Sequence, residues 1–134
     1  MEIIKSTLTD EIGAAIVEGF REYSLEKIGA NEFLPREFFE AKINGKTIGY
    51  LIVRKFGGQL HIKTLLVNKE NRSKGVGTKL IQKAFEFGKE NGCTFAFVET
   101  MDFQALSFYQ KLGFKIDFIR DGYSKNSSLY YLSR

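Results

Sequence analysis

Two glycine-containing dipeptides constrain the fold of this chain more than any other feature. Asn44-Gly45 and Gly57-Gly58 each separate two runs that are rich in β-branched and aromatic residues. Tight hairpin turns of the primed types need positive φ at both central positions, which Asn and Gly adopt most readily. The sequence therefore predicts an antiparallel meander of three strands over 37–43, 46–56 and 59–68.

The residues before the meander are predicted to form a short strand and then a helix. EIIK, near the N-terminus, has the composition of a short strand. From Thr7 to about Ile28 the apolar residues recur at helical spacing, which predicts a first helix. Thr7 followed by Asp10 is expected to form the N-terminal cap of this helix.

The residues after the meander alternate between helix and strand. Asp102 is expected to cap a short helix that Gly113 ends. The other predicted elements are a long amphipathic helix over 75–91, a buried strand over 94–100, and two last strands over 114–120 and 127–133. This order predicts an α/β (mixed α+β) fold, with a central mixed, largely antiparallel sheet of about seven strands and helices on both faces.

Length and composition indicate one compact domain over residues 1–134. The chain has 134 residues, of which 43% are hydrophobic, which is enough for one core and too few for two. No apolar run reaches membrane-spanning length, and the N-terminus lacks the apolar stretch of a secretory signal, so a cytoplasmic location is expected. The net charge of +4 favours an anionic ligand, either nucleic acid or a polyphosphate.

The segment between the third meander strand and the long helix carries both positive charge and bare backbone. It reads Arg72-Ser73-Lys74-Gly75-Val76-Gly77. Free backbone N–H groups at a helix N-terminus form a site for a phosphate-type anion. A P-loop would need Lys followed by Ser or Thr directly after its second glycine, and a dinucleotide fingerprint would need a third glycine where Leu80 stands. Neither pattern fits.

A second segment, DFQALSFYQKLGF over 102–114, narrows the interpretation. An Arg-x-x-Gly-x-Gly loop, followed about thirty residues later by this Ala, Tyr and Lys-x-Gly-Phe pattern, resembles the GNAT N-acetyltransferase superfamily, and most of all its small single-domain bacterial members. The resemblance is clear over 47–121. Two positions depart from it, because Asp102 stands where relatives often carry Asn and the meander strand carries no carboxylate.

The resemblance implies acetyl-CoA as co-substrate and no metal. The diphosphate would lie against the glycine loop, and the pantetheine arm would pair with the end of the third meander strand in a gap where the sheet splays. One backbone N–H there would polarise the thioester carbonyl. The implied cofactor-binding residues are Leu65, Leu66, Val67, Arg72, Ser73, Lys74, Gly75, Val76, Gly77, Thr78, Asp102, Ala105 and Phe108.

The resemblance also implies three catalytic candidates. Tyr109 holds the position of the tyrosine that protonates the leaving thiolate in the family. His61 stands where many relatives have a basic Glu, and Glu99 is a second candidate that would act through water. Simple strand alternation places His61 on the same sheet face as Leu65 and Val67.

The expected function is transfer of an acetyl group from acetyl-CoA to a primary amine of a small molecule or peptide, by direct attack. The segment 24–39 is expected to form the acceptor wall. No nucleic-acid or membrane partner is expected, because the aromatic residues follow core periodicities, and the resemblance allows a homodimer. Two alternatives stay open: a non-catalytic acyl-CoA-binding sensor and a nucleic-acid-binding domain.

Overall fold

The computed structural model describes residues 1–134 as three α-helices and one six-stranded sheet. The helices are α1 (Asp10–Ile28), α2 (Val76–Glu90) and α3 (Leu106–Lys111). The strands are β1 (Glu37–Ile43), β2 (Lys46–Phe56), β3 (Gln59–Val67), β4 (Ala96–Met101), β5 (Lys115–Tyr123) and β6 (Ser127–Ser133). They lie in the order β1-β2-β3-β4-β6-β5, and only the β3–β4 pair is parallel. The mixed, largely antiparallel sheet is confirmed, with six strands instead of about seven.

The two dipeptide turns have the backbone that the sequence predicts. Asn44 and Gly45 have φ values of 51° and 77°, and Gly57 and Gly58 have values of 58° and 82°. Positive φ at both central positions is the signature of a type I′ turn. The three-stranded meander β1–β3 is therefore confirmed.

The missing strand is the predicted N-terminal one. Residues 1–9 form no regular structure, and Ile3 and Ile4 are 88% and 69% exposed. The composition of EIIK suits a strand, but a strand forms only where another strand offers its hydrogen-bonding edge. The predicted cap was also wrong, because α1 begins at Asp10 and the Thr9 hydroxyl accepts the hydrogen bond from the Ile12 N–H at 3.2 Å.

One face of the sheet holds the whole buried core. Phe114 connects the two packed helices, with ring centroids 6.1 Å from Phe85 on α2 and 5.5 Å from Tyr109 on α3. The core residues are Leu51, Val53, Leu60, Ile62, Leu80, Ile81, Ala84, Ala96, Val98, Tyr109, Phe114 and Leu132. Helix α1 makes no extended contact with any strand. The opposite face therefore carries no packed helix within the chain, which differs from the expected helices on both faces.

Strand β3 contains a bulge that changes which way its side chains point. Ile52 pairs with Thr64 and the next residue, Val53, pairs with Ile62, so Lys63 has no partner on β2. Leu60 and Ile62 lie in the core before the bulge, and Leu65 and Val67 pack against the same core after it. The predicted shared face was therefore wrong. His61 lies on the sheet face opposite to Leu65 and Val67, because the extra residue inverts the alternation.

Helix α3 begins later than the sequence predicts. It starts at Leu106, and no side chain caps it. Asp102 does not act as the predicted cap, because its Oδ2 accepts a hydrogen bond from the Ser128 N–H of β6 at 3.1 Å. Gly113 follows the helix with φ of 91°, as expected for a C-terminal glycine. None of the three helices has the length and apolar character needed to cross a membrane.

Candidate active site

A groove of about 590 Å³ lies where the end of β3, the first turn of α2 and the start of α3 meet. The structure brings most of the expected cofactor-binding residues together there: Leu65, Leu66, Val67, Arg72, Ser73, Gly75, Val76, Gly77, Thr78, Ala105 and Phe108. These residues come from two segments about thirty positions apart. The loop and the second motif therefore form one surface.

Two of the expected cofactor-binding residues lie outside this groove. Lys74 lines a separate cavity of about 320 Å³, together with Lys42 and Lys79. The Asp102 carboxylate is used in the hydrogen bond to Ser128, and the Asp102 N–H donates to the Ser128 carbonyl at 3.0 Å. Asp102 therefore ties the segment before α3 to β6.

Three lining residues were missed from the sequence. They are Asn71, Phe103 and Gln104. Gln104 has a structural role, because its Oε1 accepts the hydrogen bond of the Met101 N–H at 2.9 Å, whereas Phe103 is 70% exposed at the rim. All three lie within or directly beside the two motifs, so treating each motif as a continuous surface would have found them.

The glycine loop presents its backbone donors toward the groove. Ser73 and Gly75 have left-handed backbones, with φ of 62° and 83°. None of the N–H groups from Ser73 to Thr78 donates a hydrogen bond within the protein. The Arg72 Nε donates to the Val67 carbonyl at 3.0 Å, which fixes the loop to the end of β3. Free N–H groups, the helix dipole and positive charge together form an anion-binding site.

Gly77 sets the width of the groove. A Cβ added at this position would lie 3.2 Å from the Phe108 Cζ and 3.8 Å from the Val67 Cγ2. The bare backbone of Gly77 therefore faces the groove wall formed by α3. Any side chain at this position would enter the space between α2 and α3.

The sheet splits close to this groove. Strands β3 and β4 pair only where Leu60–Ile62 meets Ala96–Val98. The His61 Nε2 lies 2.8 Å from the Glu99 Oε2, and the His61 ring stacks on Phe97 at 4.4 Å. Glu99 is the first residue of β4 beyond the pairing. The two base candidates therefore form one hydrogen-bonded pair at the start of the split.

Burial favours the neutral form of His61. The pKa of His61 lies below 6.5, chiefly because burial disfavours the charged imidazolium. The hydrogen bond and the charge of Glu99 oppose this shift, whereas the charges of Arg54 and Lys63 add to it. A neutral imidazole donates its Nε2–H to the Glu99 carboxylate, which leaves Nδ1 buried and without a partner. The side chain of Glu99 is 34% exposed and that of His61 only 9%. Glu99 is thus the member of the pair that faces solvent.

The lowered pKa of His61 predicts a pH-dependent stability. Unfolded chains bind the imidazole proton near pH 6.5 and the folded chain only at lower pH, so the free energy of unfolding falls as the pH drops below 6.5. His61→Gln should flatten this dependence in urea titrations between pH 7.5 and 5. His61 is the single histidine of the chain, so no other imidazole contributes. An unchanged slope would mean that the folded and unfolded pKa values are equal.

Tyr109 lies at the boundary between the groove and the core. It is 4% exposed, and its ring contacts Phe108 at 5.2 Å and Phe114 at 5.5 Å. Burial raises its pKa to about 12, so the phenol stays protonated at neutral pH. Its hydroxyl donates no hydrogen bond within the protein, and it is not among the fully buried polar atoms that lack a partner. Tyr109 does not line the groove itself, although Ala105 and Phe108 beside it do.

Comparison with known proteins decides the family. The model of the acetyltransferase (GNAT) family matches residues 6–114. The chain belongs to the GNAT acetyltransferase family. This confirms the resemblance inferred from the two motifs, and with it acetyl-CoA as the co-substrate. No group of three or more His, Cys, Asp or Glu side chains is arranged to hold a metal ion.

Among curated GNAT relatives, an acetyltransferase of Agrobacterium fabrum is 27% identical over 85% of this chain and 84% of its own length. Blasticidin-S acetyltransferase of Streptomyces morookaense is 37% identical, over 54% of each chain. The chain therefore spans only about half of that second relative.

Solved GNAT structures share the fold. An acetyltransferase from Bacillus cereus matches with a TM-score of 0.76 and 24% identity, over 99% of this chain and 96% of its own. A streptothricin acetyltransferase from Bacillus anthracis, solved in complex with acetyl coenzyme A, matches with a TM-score of 0.69 and 24% identity, over 74% of this chain and 62% of its own. At this identity the likeness concerns the fold alone.

Proposed function

We propose that this GNAT protein acts as a single domain over residues 1–134 and transfers an acetyl group from acetyl-CoA to a primary amine by direct attack. The groove between the glycine loop and α3 carries this proposal. It joins unused backbone donors at the α2 N-terminus to an open strand edge, which is the pair of features that a diphosphate attached to an amide-rich arm requires.

In the proposed complex the diphosphate accepts hydrogen bonds from the N–H groups between Ser73 and Thr78. The pantetheine amides pair with the backbone of Leu65–Val67, on the edge of β3 that β4 leaves free. This arrangement directs the thioester into the split between the two strands. A backbone N–H at the end of the paired segment then polarises the thioester carbonyl.

The proposed base is Glu99, and His61 is its positioning residue. The acceptor must attack as a free amine, whose unperturbed pKa is near 10, so a group at the split has to take its proton. His61 holds one carboxylate oxygen of Glu99 at 2.8 Å, and the other remains free to receive that proton directly or through water. The last pair between β3 and β4 is Ile62 with Val98, so one more step of that register would set Glu99 beside Lys63. Lys63 is two residues before Leu65, which is about 7 Å along a strand.

The proposed transfer balances as follows. The amine nitrogen forms a bond to the acetyl carbon, the carbon–sulfur bond breaks, and the electron pair leaves with sulfur. The amine nitrogen loses its proton to Glu99, and the thiolate receives a proton from the Tyr109 hydroxyl. Exchange with solvent then returns one proton from Glu99 to the Tyr109 phenolate, so both groups are restored. The Tyr109 phenol is protonated at neutral pH, so it carries the proton that the thiolate needs.

The acceptor is proposed to be a small-molecule amine, or a peptide. Two curated relatives carry the names blasticidin-S acetyltransferase and streptothricin acetyltransferase A, which supports the small-molecule class. The segment before β1 also borders the region of the pair, because Phe33 packs edge-on against Phe56 at 5.1 Å and Phe56 lies 6.1 Å from the His61 ring. An aromatic border of this kind suits a compact ammonium-bearing ligand.

The test is release of CoA thiol from acetyl-CoA with a panel of acceptors: polyamines, amino acids, aminoglycosides, peptides, blasticidin S and streptothricin. Stoichiometric acetylated product, identified by mass spectrometry, is the expected result with at least one small amine. Acetyl-CoA binding without release across the panel would favour the non-catalytic sensor. Absence of acetyl-CoA binding would overturn the proposal.

Tyr109→Phe is expected to lower kcat roughly tenfold to a thousandfold and to leave acetyl-CoA affinity and thermal stability almost unchanged. The hydroxyl makes no hydrogen bond in the folded protein, so its removal costs little folding energy. Tyr130→Phe, on β6, is the matched control. An unchanged kcat where chemistry limits the rate would restrict Tyr109 to packing.

A further inference from the structure

The first 28 residues form an extension with an exposed apolar stripe, here termed the N-terminal arm. Leu8, Ile12, Ile16, Phe20 and Tyr23 recur at helical spacing and are 44% to 69% exposed. Ser24 is the single buried residue of α1. A helix with such a stripe normally buries it against another element.

The sheet surface opposite the core carries no packed helix, and we term it the open face. On this face the rings of Phe38 and Tyr50 stack on each other, with centroids 6.3 Å apart. Phe38 and Leu66 are 51% and 50% exposed. Strand pairing continues this face through Ile52, Phe97 and Tyr131. Large contiguous apolar surfaces of this kind mark interaction sites.

The link between arm and sheet is hydrogen-bonded at both of its ends. Gly29 ends α1 with φ of 70° and donates its N–H to the Leu25 carbonyl at 3.0 Å. The buried Ser24 hydroxyl donates to the Ala30 carbonyl at 2.6 Å. The following residues are held to the β2–β3 hairpin, since Leu34 N–H donates to the Lys55 carbonyl at 3.1 Å and Glu32 pairs with Lys55 at 3.2 Å. With the link held in this way, α1 makes no extended contact with any strand of its own sheet.

We infer that two copies of this chain exchange their N-terminal arms, so that α1 of each copy packs on the open face of the other. The distribution of charge favours a second copy of the chain as the partner that the arm binds. The arm holds six acidic and three basic residues, a net charge of −3, whereas the remaining residues carry +7. An acidic arm is attracted to a second copy and repelled by an anionic lipid surface.

The surfaces are large enough for a stable dimer. The 19 residues of α1 form a helix about 28 Å long and roughly 10 Å wide, which covers roughly 280 Å² of a flat surface. Two arms and the two faces that they cover therefore bury on the order of 1,100 Å², above the roughly 1,000 Å² that a specific interface needs.

The exchange also completes the acceptor side of the split. The open face carries His61, Glu99 and Arg54, which no helix of the same chain covers. In the exchanged dimer the partner's α1 lies across this face. Each acceptor site is then walled by two chains.

Sedimentation velocity and light scattering on the full chain test this inference. The wild-type protein is expected to have twice the mass of the 15.3 kDa chain at micromolar concentration. Ile16→Glu should give a monomer, because it places a charge in the stripe, and Phe20→Glu should repeat the result. Ala14→Glu adds the same charge to the opposite side of α1 and should leave the dimer intact. A monomeric wild type, or a dimer that survives both stripe variants, overturns the inference.

A mixing experiment separates arm exchange from any other dimer. Ile52→Glu disrupts the open face and should also be monomeric. Mixed with Ile16→Glu, it is expected to form a heterodimer that is weaker than the wild-type dimer, because one of the two arm–face contacts is intact. Absence of that heterodimer when the two variants are mixed at several hundred micromolar overturns the exchange. Near-UV circular dichroism of each variant establishes that it is folded, and the readout does not depend on activity.

Discussion

Gly77→Asp is expected to weaken acetyl-CoA binding at least about a hundredfold, which corresponds to about 2.7 kcal/mol. The new side chain would meet the Phe108 ring and place a negative charge beside the free N–H groups that the diphosphate needs. The substitution should not unfold the protein, because Gly77 is in the first turn of α2 and lacks the positive φ of Gly75. An acidic residue is favourable at that end of a helix.

Isothermal calorimetry measures this effect directly, and the thermal shift produced by acetyl-CoA measures it through ligand-linked stability. Gln82→Asp is the matched control, because it adds the same charge to an exposed position on the same helix. Wild-type affinity in a folded Gly77→Asp protein would remove the glycine loop from the cofactor site.

Glu99→Gln is expected to lower kcat/KM about a hundredfold, because an amide cannot take the proton of the attacking amine. The amide still reaches His61, so folding and acetyl-CoA binding should be retained. His61→Gln should cost less, because it changes the group that positions the carboxylate and leaves the carboxylate itself in place. In pH–rate profiles Glu99→Gln should lose the ascending limb that His61→Gln retains.

Glu86→Gln, on the exposed side of α2, is the control for loss of a carboxylate. The opposite pattern, in which His61→Gln removes the ascending limb and Glu99→Gln retains it, would make the imidazole the base. If the limb survives both substitutions, the amine loses its proton to solvent, and neither residue is catalytic.

Sequence reasoning succeeded where the determinants are local. The Asn44-Gly45 and Gly57-Gly58 turns depend only on which residues tolerate positive φ, and Gly113 ends α3 for the same reason. The groove was also predictable from the two motifs. The first contains the glycines Gly75 and Gly77, and together the motifs identify the strand and the two helices that surround the groove.

It failed where an element depends on a partner. EIIK has strand composition and finds no strand beside it, and Asp102 bonds to Ser128 on a distant strand instead of capping α3. The bulge at Lys63 leaves no mark in the sequence, because any residue can be the extra one, and it reversed the predicted face of His61. The His61–Glu99 contact joins residues 38 positions apart, which local patterns do not encode.

The bulge at Lys63 has a kinetic consequence. It places the His61–Glu99 pair on one side of the sheet, while Leu65 and Val67 face the groove on the other. In the proposed reaction the two substrates therefore approach from opposite sides and meet only in the split between β3 and β4. Neither route obstructs the other, so we expect the two sites to fill in either order. The proposed direct attack would then take place with both substrates bound, without an acetylated enzyme intermediate.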